Sequence, residues 1–98
     1  MTATPAQAAW THGQLRAYQA IRVVWPKHYR AARQVARCES DFRKWAENGQ
    51  YHNVFQLSAN WRHYFHVRDG QLWRGLYAAH AIYKADGFHW YQWECQPA

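Results

Sequence analysis

The chain of 98 residues has the length of one small domain. Apolar residues make up 49% of it and aromatic residues 18%, which excludes a disordered chain, and the formal charge of +6 favours an anionic partner such as nucleic acid, an acidic membrane surface or an anionic cell wall. No apolar run approaches the roughly 20 residues that span a bilayer, and the first residues, MTATPAQAAW, lack the basic and long apolar regions of a secretory signal.

Two helices are predicted in the first half of the chain, after residues 1–10, which we expect to be a flexible lead-in to a domain at 11–98. From His12 to Trp25, apolar residues recur at every third position, and Pro26 cannot continue the helix. A second helix is predicted from about Lys27 to Ser40. The residues expected on the inner faces are Leu15, Tyr18, Ile21 and Val24 in the first helix and Tyr29, Ala32, Val35 and Ala36 in the second.

The middle and the end of the chain predict a hairpin and two further helices. Asn48-Gly49 is a turn signal, and the following run YHNVFQL is typical of a strand or hairpin arm. Residues 58–66 form a short predicted helix, and residues 71–86 form a longer one that Gly87 ends. The aromatic tail FHWYQWEC is expected to pack back onto the body. The predicted fold is mainly α, with one small β-hairpin between the second and third helices.

Cys38 and Cys95 are the two cysteines, and their wide separation excludes a C-x-x-C metal or redox pair. They are either two buried free thiols or one disulfide that closes most of the domain. The small core favours the disulfide, which would stabilise the fold by roughly 4 kcal/mol in the chain-entropy model. A disulfide would also imply action outside a reducing cytoplasm.

A glutamate lies directly beside the first cysteine, in RCESDF at residues 37–42. Glu39 falls one helical turn beyond Val35, so it continues the inner face of the second helix. The negative end of the helix dipole and partial burial both favour its protonated form, which a general acid needs. The alternative is an ordinary helix-end glutamate that pairs with Arg37 or Arg43.

The segment that begins at the glutamate carries an ordered set of motifs. They are Glu39-Ser40 at a helix end, the turn AENG at 46–49 and the run Phe55-Gln56-Leu57, followed later by LYAAHAIYKADGFHWYQWEC. Together these resemble the lysozyme-like and lytic transglycosylase superfamily, most closely actinobacterial resuscitation-promoting-factor-like domains and phage lysozyme-like domains. The resemblance spans about residues 28–96 and implies an α+β lysozyme-like fold.

The resemblance implies roles for individual residues. Glu39 matches the catalytic acid, Gln56 matches a glycan-contacting glutamine, and Ser40 matches a residue that supports the glutamate loop. The positions implied to line the substrate groove are Tyr51, Phe55, Trp90 and Trp93. Cys38 and Cys95 also stand where the family has its cysteines. No cofactor is implied.

Three residues depart from the family pattern. Asp41 stands where a glycine usually follows Glu-Ser, Asn53 replaces a glycine common before the aromatic-Gln run, and Gly75 occupies a place where the last helix often carries a groove asparagine. These departures bear on glycan positioning more than on the acid, and they leave open a weakly active domain.

The implied reaction is cleavage of the β-1,4 bond between N-acetylmuramic acid and N-acetylglucosamine in peptidoglycan, which requires protonation of the leaving oxygen. Asp41 and Glu47 are the carboxylates nearest to Glu39 in sequence, and neither matches a family nucleophile. A single-acid route is therefore favoured, in which the substrate's own N-acetyl or 6-hydroxyl group takes part. A lytic transglycosylase is favoured over a hydrolytic lysozyme.

The lack of a signal sequence favours delivery by a phage particle or by lysis machinery. We therefore expect action outside the cell or at the cell wall, with peptidoglycan glycan strands and other phage or virion proteins as partners. Two alternatives stay open: a catalytically weak glycan-binding or virion structural module of the same fold, and a basic nucleic-acid-binding domain. Nucleic acid is the less favoured partner, because no helix-turn-helix or other nucleic-acid motif stands out.

Seven histidines raise the question of a metal site. His63 and His66 are three residues apart, and His52, His80 and His89 could join them. A metal site is nevertheless not predicted, because the chain has neither H-E-x-x-H nor a nearby cysteine pair.

Overall fold

The computed structural model describes residues 9–98, which fold into four α-helices and one antiparallel hairpin. In chain order the elements are α1 (His12–Val24), α2 (Tyr29–Ser40), β1 (Glu47–Asn48), β2 (Tyr51–His52), α3 (Ala59–Phe65) and α4 (Leu72–Ala85). The expected mainly helical fold with one small hairpin is confirmed. None of the helices in this part of the chain is long and apolar enough to cross a membrane.

The expected lead-in falls mostly on residues 1–8, which lie outside the described residues. Its last residue, Trp10, already belongs to the packed domain. The Trp10 ring lies 5.3 Å from that of Tyr18 and 5.0 Å from that of Phe42, measured between ring centroids. The packed part therefore extends at least one residue before the expected start at residue 11.

Helix α1 begins at His12, the predicted start, and is preceded by a capping box that was not predicted. The Thr11 hydroxyl accepts a hydrogen bond from the backbone N–H of Gln14 (3.2 Å), and the Gln14 side chain accepts one from the N–H of Thr11 (2.8 Å). The residues buried on its inner face are Gln14, Ala17, Ala20, Ile21 and Val24. Leu15 and Tyr18, which were expected on that face, are only partly buried at its edge.

Helix α2 ends in two successive residues with left-handed backbone, Asp41 (φ 51°) and Phe42 (φ 62°). This conformation is strained for residues other than glycine, and it is a clear outlier for a bulky residue. Phe42 is buried, and Gln14 Nε2 donates hydrogen bonds to the Asp41 carbonyl (2.9 Å) and carboxylate (3.2 Å). Helix α1 thus holds the turn that immediately follows Glu39.

The hairpin is shorter than the sequence predicts, because only Tyr51–His52 of the run YHNVFQL lies in a strand. Residues 53–56 form a tight turn that brings Leu57 back to His52, through backbone hydrogen bonds of 2.8 and 3.1 Å. The extended conformation stops there because Val54 and Phe55 turn into the core, where they are 2% and 1% exposed. The paired positions of the two strands are Glu47 with His52 and Asn48 with Tyr51.

The aromatic tail packs back onto the body, as expected. The Trp90 ring lies 4.7 Å from that of Tyr83, 5.7 Å from that of Trp25 and 6.0 Å from that of Phe55. Trp25 and Phe55 are among the largest fully buried side chains. The core is therefore an aromatic cluster that joins α1, α4, the 53–56 turn and the tail.

The predicted disulfide is confirmed, with the Sγ atoms of Cys38 and Cys95 2.07 Å apart across a sequence separation of 57 residues. It joins the tail to the last turn of α2, the turn that also carries Glu39. Further along the tail, the backbone N–H of Ala98 donates to the side chain of Gln34 (2.9 Å). The tail is therefore fastened along α2 at two points.

Candidate active site

Glu39 lies half-buried at the C-terminal end of α2, with the tail folded over it. The backbone N–H of Cys95 donates a hydrogen bond of 3.1 Å to Glu39 Oε2. Because Cys95 is itself bonded to Cys38, the neighbour of Glu39, the disulfide fixes this contact. The carboxyl group is therefore held in one place and still faces an open cleft.

The cleft at Glu39 has a volume of about 120 Å³. It is lined by Glu39, Asn48, Tyr51, Gln56, Gln92, Trp93 and Glu94. A second depression, of about 190 Å³, shares four of these residues and continues to Trp61 on α3. The shared residues are Tyr51, Gln56, Gln92 and Trp93. The two depressions thus form one elongated groove, called the Glu39 groove below, with the carboxyl near one end.

The pKa of Glu39 is raised above the ordinary value of a glutamate. Burial is the largest cause, the negative charge of Glu94 adds to it, and hydrogen bonds from the backbone of Cys95 and Glu94 partly oppose it. Among residues 9–98, no lysine, arginine or histidine lines the Glu39 groove, so no cation there stabilises the carboxylate. The site therefore favours a protonated carboxyl, which can donate a proton to a bound oxygen.

Gln56 lines the groove and is tied firmly to the backbone around it. The backbone of Gln56 is left-handed (φ 49°). Its side-chain Nε2 donates hydrogen bonds to the carbonyls of Asn53 (2.9 Å) and Ala46 (3.1 Å). Both amide hydrogens are thereby used within the protein. The chemistry left for a bound molecule is the acceptor oxygen Oε1.

Three further predicted site residues lie at or beside the groove. The Ser40 hydroxyl donates to the Val54 carbonyl (2.6 Å), which links the end of α2 to the 53–56 turn. Tyr51 is 45% exposed and presents its ring at the groove. Trp93 is mostly buried, and its Nε1 donates to the Phe55 carbonyl (2.8 Å). The structure thus brings Glu39, Gln56, Tyr51 and Trp93 together, with Ser40 supporting them from below.

Phe55 and Trp90, which were expected to line the groove, are core residues. They are 1% and 7% exposed, and neither belongs to the lining of the groove. Their rings stack on each other at 6.0 Å. The expectation fails because so small a domain uses its aromatic residues to fill the core. The local sequence around Phe55 and Trp90 does not show whether an aromatic ring is buried or faces a groove.

Seven groove residues were not predicted from the sequence to line it: Asn48, Leu57, Ser58, Trp61, Ile82, Gln92 and Glu94. Asn48 was interpreted only as part of a turn. Gln92 and Glu94 flank a predicted groove residue, Trp93, and Glu94 also adjoins Cys95. That adjacency is the signal from which Glu94 could have been inferred, because a disulfide to Cys38 carries the neighbours of Cys95 to Glu39.

Two of the departures from the family pattern are in contact with each other. Asn53 is buried (2% exposed), and a Cβ placed on Gly75 would lie 3.2 Å from Asn53 Nδ2. The missing side chain at Gly75 therefore makes room for the Asn53 amide. Neither residue lines the Glu39 groove, so this pair adjusts packing between the 53–56 turn and α4.

The histidines do not gather into one cluster. Within residues 9–98, one group of possible metal ligands comes together, formed by Glu47, His52 and Asp69. His52 Nδ1 lies 2.7 Å from Asp69 Oδ1, and its Nε2 lies 3.8 Å from Glu47 Oε1. Because opposite ring nitrogens face the two carboxylates, we interpret the group as an ion-pair network between the hairpin and the turn before α4.

No family model, curated protein or solved structure matches this chain. Its relation to lysozyme-like enzymes therefore stays a prediction from the motifs. The case for a function depends on the chemistry of the Glu39 groove.

Proposed function

We propose that this protein cleaves the glycan strands of peptidoglycan at the β-1,4 bond between N-acetylmuramic acid and N-acetylglucosamine, with Glu39 as general acid. The observation that carries the proposal is the half-buried Glu39 carboxyl, whose pKa is raised, at an elongated groove free of basic side chains among residues 9–98. Glycosidic cleavage needs such an acid, because the leaving oxygen must gain a proton as its bond to the sugar breaks.

The first chemical step follows from the state of that carboxyl. Glu39 gives its proton to the glycosidic oxygen as the bond from this oxygen to C1 of N-acetylmuramic acid breaks, and positive charge develops on the sugar ring. The resulting Glu39 carboxylate then acts as a base. In the transglycosylase route it takes the proton of the 6-hydroxyl group of the same sugar as that oxygen bonds to C1, which leaves a 1,6-anhydro end. In the hydrolytic route it takes a proton from a water molecule as the oxygen of that water bonds to C1, which leaves a reducing end.

Binding of the glycan falls to the rest of the groove. Tyr51 offers an exposed ring on which a sugar face can stack, and Gln56 offers an acceptor oxygen for a sugar hydroxyl or N-acetyl N–H. The groove extends from Glu39 past Trp93 to Trp61. We therefore expect the glycan strand to lie along these residues, with its scissile bond at Glu39.

The setting we propose is the cell wall or the extracellular space, with delivery by a phage particle or lysis machinery. The Cys38–Cys95 disulfide is compatible with an oxidising location. Proteins of the same particle are the proposed partners besides the glycan. No cofactor enters the proposed chemistry, because protonation and the substrate's own hydroxyl group are sufficient.

A digestion of purified peptidoglycan with masses read for the soluble products tests the proposal. Anhydro ends support the transglycosylase, which we favour, and reducing ends support the lysozyme. If the protein sediments with peptidoglycan but releases no soluble product, the glycan-binding alternative replaces the enzyme. If it neither binds nor cleaves, the glycan proposal is wrong.

A further inference from the structure

Glu94 is the second carboxylate at the Glu39 groove, although it is far from Glu39 in the sequence. Both of its neighbours are held. Trp93 Nε1 donates to the Phe55 carbonyl, and Cys95 is bonded to Cys38 and donates its N–H to Glu39. The position of Glu94 in the groove is therefore set by the fold and not by a mobile end of the chain.

The exposed side chain of Glu94 lies apart from the ion pairs of residues 9–98. In the part of the chain that the structure describes, the ion pairs involve His52 and Arg62, and none includes Glu94. Glu94 shares this with Glu39, Asp41 and Asp86, so the acidic groups of the groove are not neutralised by ion pairs within residues 9–98. A negative charge without a nearby cation acts on whichever titratable group is closest to it.

Glu39 lines the same cleft as Glu94. The titratable side chains that line the groove are Glu39 from α2, Tyr51 from the hairpin and Glu94 from the tail, while the 53–56 turn contributes the neutral Gln56. The charge of Glu94 raises the pKa of Glu39, in the same direction as burial. Two neighbouring carboxyl groups with separate environments commonly divide their roles, one protonated and one ionised.

We propose that Glu94 is a positioning residue for Glu39: its side chain, held at the same groove by the Cys38–Cys95 disulfide, acts through its negative charge on the carboxyl that donates the proton. This inference rests on the proposed glycan cleavage and assigns it a second residue, which the family pattern does not supply. Glu94 acts through its charge on Glu39 and needs no contact with the scissile bond.

The decisive measurement is the titration of the Glu39 carboxyl, followed by carbon NMR in the wild type and in Glu94→Gln. The substitution keeps the size of the side chain and removes its charge, so the midpoint for Glu39 should move to lower pH. Glu94→Asp keeps the charge and should restore most of the difference. High salt should shrink the difference between wild type and Glu94→Gln, since the screening length falls to about 3 Å at 1 M.

The activity profile provides a second readout. In Glu94→Gln the alkaline limb of the pH–rate profile should move to lower pH, and each unit of movement lowers the rate on that limb roughly tenfold. The rate on the acid side should stay near wild type. Glu47→Gln is the matched control, because it removes the same charge from an exposed residue whose carboxyl faces His52. It should leave the Glu39 midpoint in place.

The outcomes separate this inference from the function on which it rests. An unchanged Glu39 midpoint in Glu94→Gln overturns the role of Glu94, whether or not the protein cleaves peptidoglycan. An equal shift in Glu47→Gln overturns it too, because the effect would then belong to net charge. A shift specific to Glu94→Gln supports the coupling, and a wild type that releases no glycan products overturns the proposed function instead.

Discussion

Glu39 is in a different environment in the folded chain from the one it has in the unfolded chain. Burial and the charge of Glu94 raise its pKa, so the folded protein prefers the protonated carboxyl. By linkage, this preference contributes stability that is fully present below the unfolded-state pKa and is lost as the pH rises through the folded-state pKa. The raised pKa that the proposed function uses therefore lowers the stability of the fold as the pH rises through the folded-state pKa.

The substitution Glu39→Gln tests both the proposed catalytic role of Glu39 and its effect on stability. Cleavage should fall by roughly 10²–10⁴-fold, the usual contribution of a general acid. The variant should fold, because Gln Oε1 can still accept the hydrogen bond from the Cys95 N–H. Its melting temperature should exceed that of the wild type above the folded-state pKa of Glu39, and the excess should shrink as the pH falls below it.

Product release and thermal melts at several pH values check the prediction. Activity near the wild-type level would remove Glu39 from the mechanism. A melting difference that does not change with pH would contradict the raised pKa, even if activity is lost.

Gln56 is the residue that most constrains the 53–56 turn. Gln56→Ala removes two hydrogen bonds to the carbonyls of Asn53 and Ala46 and should lower the free energy of unfolding by about 1–3 kcal/mol. It should also weaken glycan cleavage, because the Oε1 acceptor is lost. Gln50→Ala is the control, since it deletes the same side chain from an exposed position in the hairpin loop. Equal denaturant midpoints for the two variants would contradict the assigned role of Gln56.

At the scale of elements, the tail is a segment without regular secondary structure that supplies one wall of the Glu39 groove. Its fastenings to the rest of the fold are the disulfide and the hydrogen bonds of Trp93 to Phe55, Cys95 to Glu39 and Ala98 to Gln34. Within the tail, Gln96 Nε2 donates to the carbonyls of Trp90 (2.8 Å) and Trp93 (2.7 Å). Any loss of these contacts therefore both frees the tail and removes one wall of the Glu39 groove.

Reduction of the disulfide should therefore lower stability and activity together. The chain-entropy model gives a loss of about 4 kcal/mol for a loop of this size. Cleavage should already fall at temperatures where the reduced helices remain folded, because the tail leaves Glu39. Circular dichroism melts and peptidoglycan digestion with and without dithiothreitol check this, with a Cys38→Ser, Cys95→Ser double variant as the reductant-free comparison. Full activity of that variant at its folded temperature would contradict the prediction.

The helix boundaries were accessible from the sequence because local signals mark them: Thr11 with Gln14 at the start of α1, Pro26 after its end, and Ser58 before α3. The position of Glu39 on an inner face was accessible for the same reason, since the helical period is local. The turn at 53–56 was not, because it is imposed by the burial of residues in the middle of an apparently extended run. The local sequence pattern does not show that Val54 and Phe55 are buried in the core.

The groove was partly accessible. Its residues near Glu39 in sequence follow from motif order, whereas Trp61 and Glu94 enter through tertiary packing. Phe55 and Trp90 were assigned to the wrong environment, since an aromatic residue that fills a core and one that faces a sugar have the same local signature.

At the scale of the whole molecule, five of the twelve basic residues form an exposed group on α1, α2 and the link between them, and no basic side chain of residues 9–98 lines the Glu39 groove. Exposed basic residues on the outer faces of α1 and α2 are Arg16, Arg22, Arg30 and Arg37, with Lys27 between the helices. Arg33 is half-buried instead, with its Cζ 3.6 Å from the Tyr18 ring centroid. The basic face can therefore attract an anionic polymer while the Glu39 groove keeps its acidic character.

Charge reversal on this face should weaken wall binding without abolishing the chemistry. Arg22→Glu with Arg30→Glu should reduce co-sedimentation with anionic cell walls at low salt, and the difference should fade as salt shortens the screening length below about 8 Å. The control is the double variant Arg74→Glu with Lys84→Glu, which changes the net charge by the same amount but on α4. Cleavage of short soluble glycans should be equal in all of these proteins.

Competition with nucleic acid decides between the anionic partners. Duplex and single-stranded DNA should hardly displace the protein from peptidoglycan. Efficient displacement at low DNA concentration, with wall lysis absent, would favour the nucleic-acid alternative.

The disulfide and the Cys95–Glu39 contact also determine when, during folding, the site comes into being. The two walls of the groove are joined by a loop of 57 residues, and long loops close late because their entropy must be offset by contacts that already exist. A chain folded only as far as α4 would expose Glu39 to water and have half a groove. Completion of the site therefore depends on the docking and oxidation of the tail, so that, under the proposed function, a molecule still in its reduced form should lack activity on a cell wall.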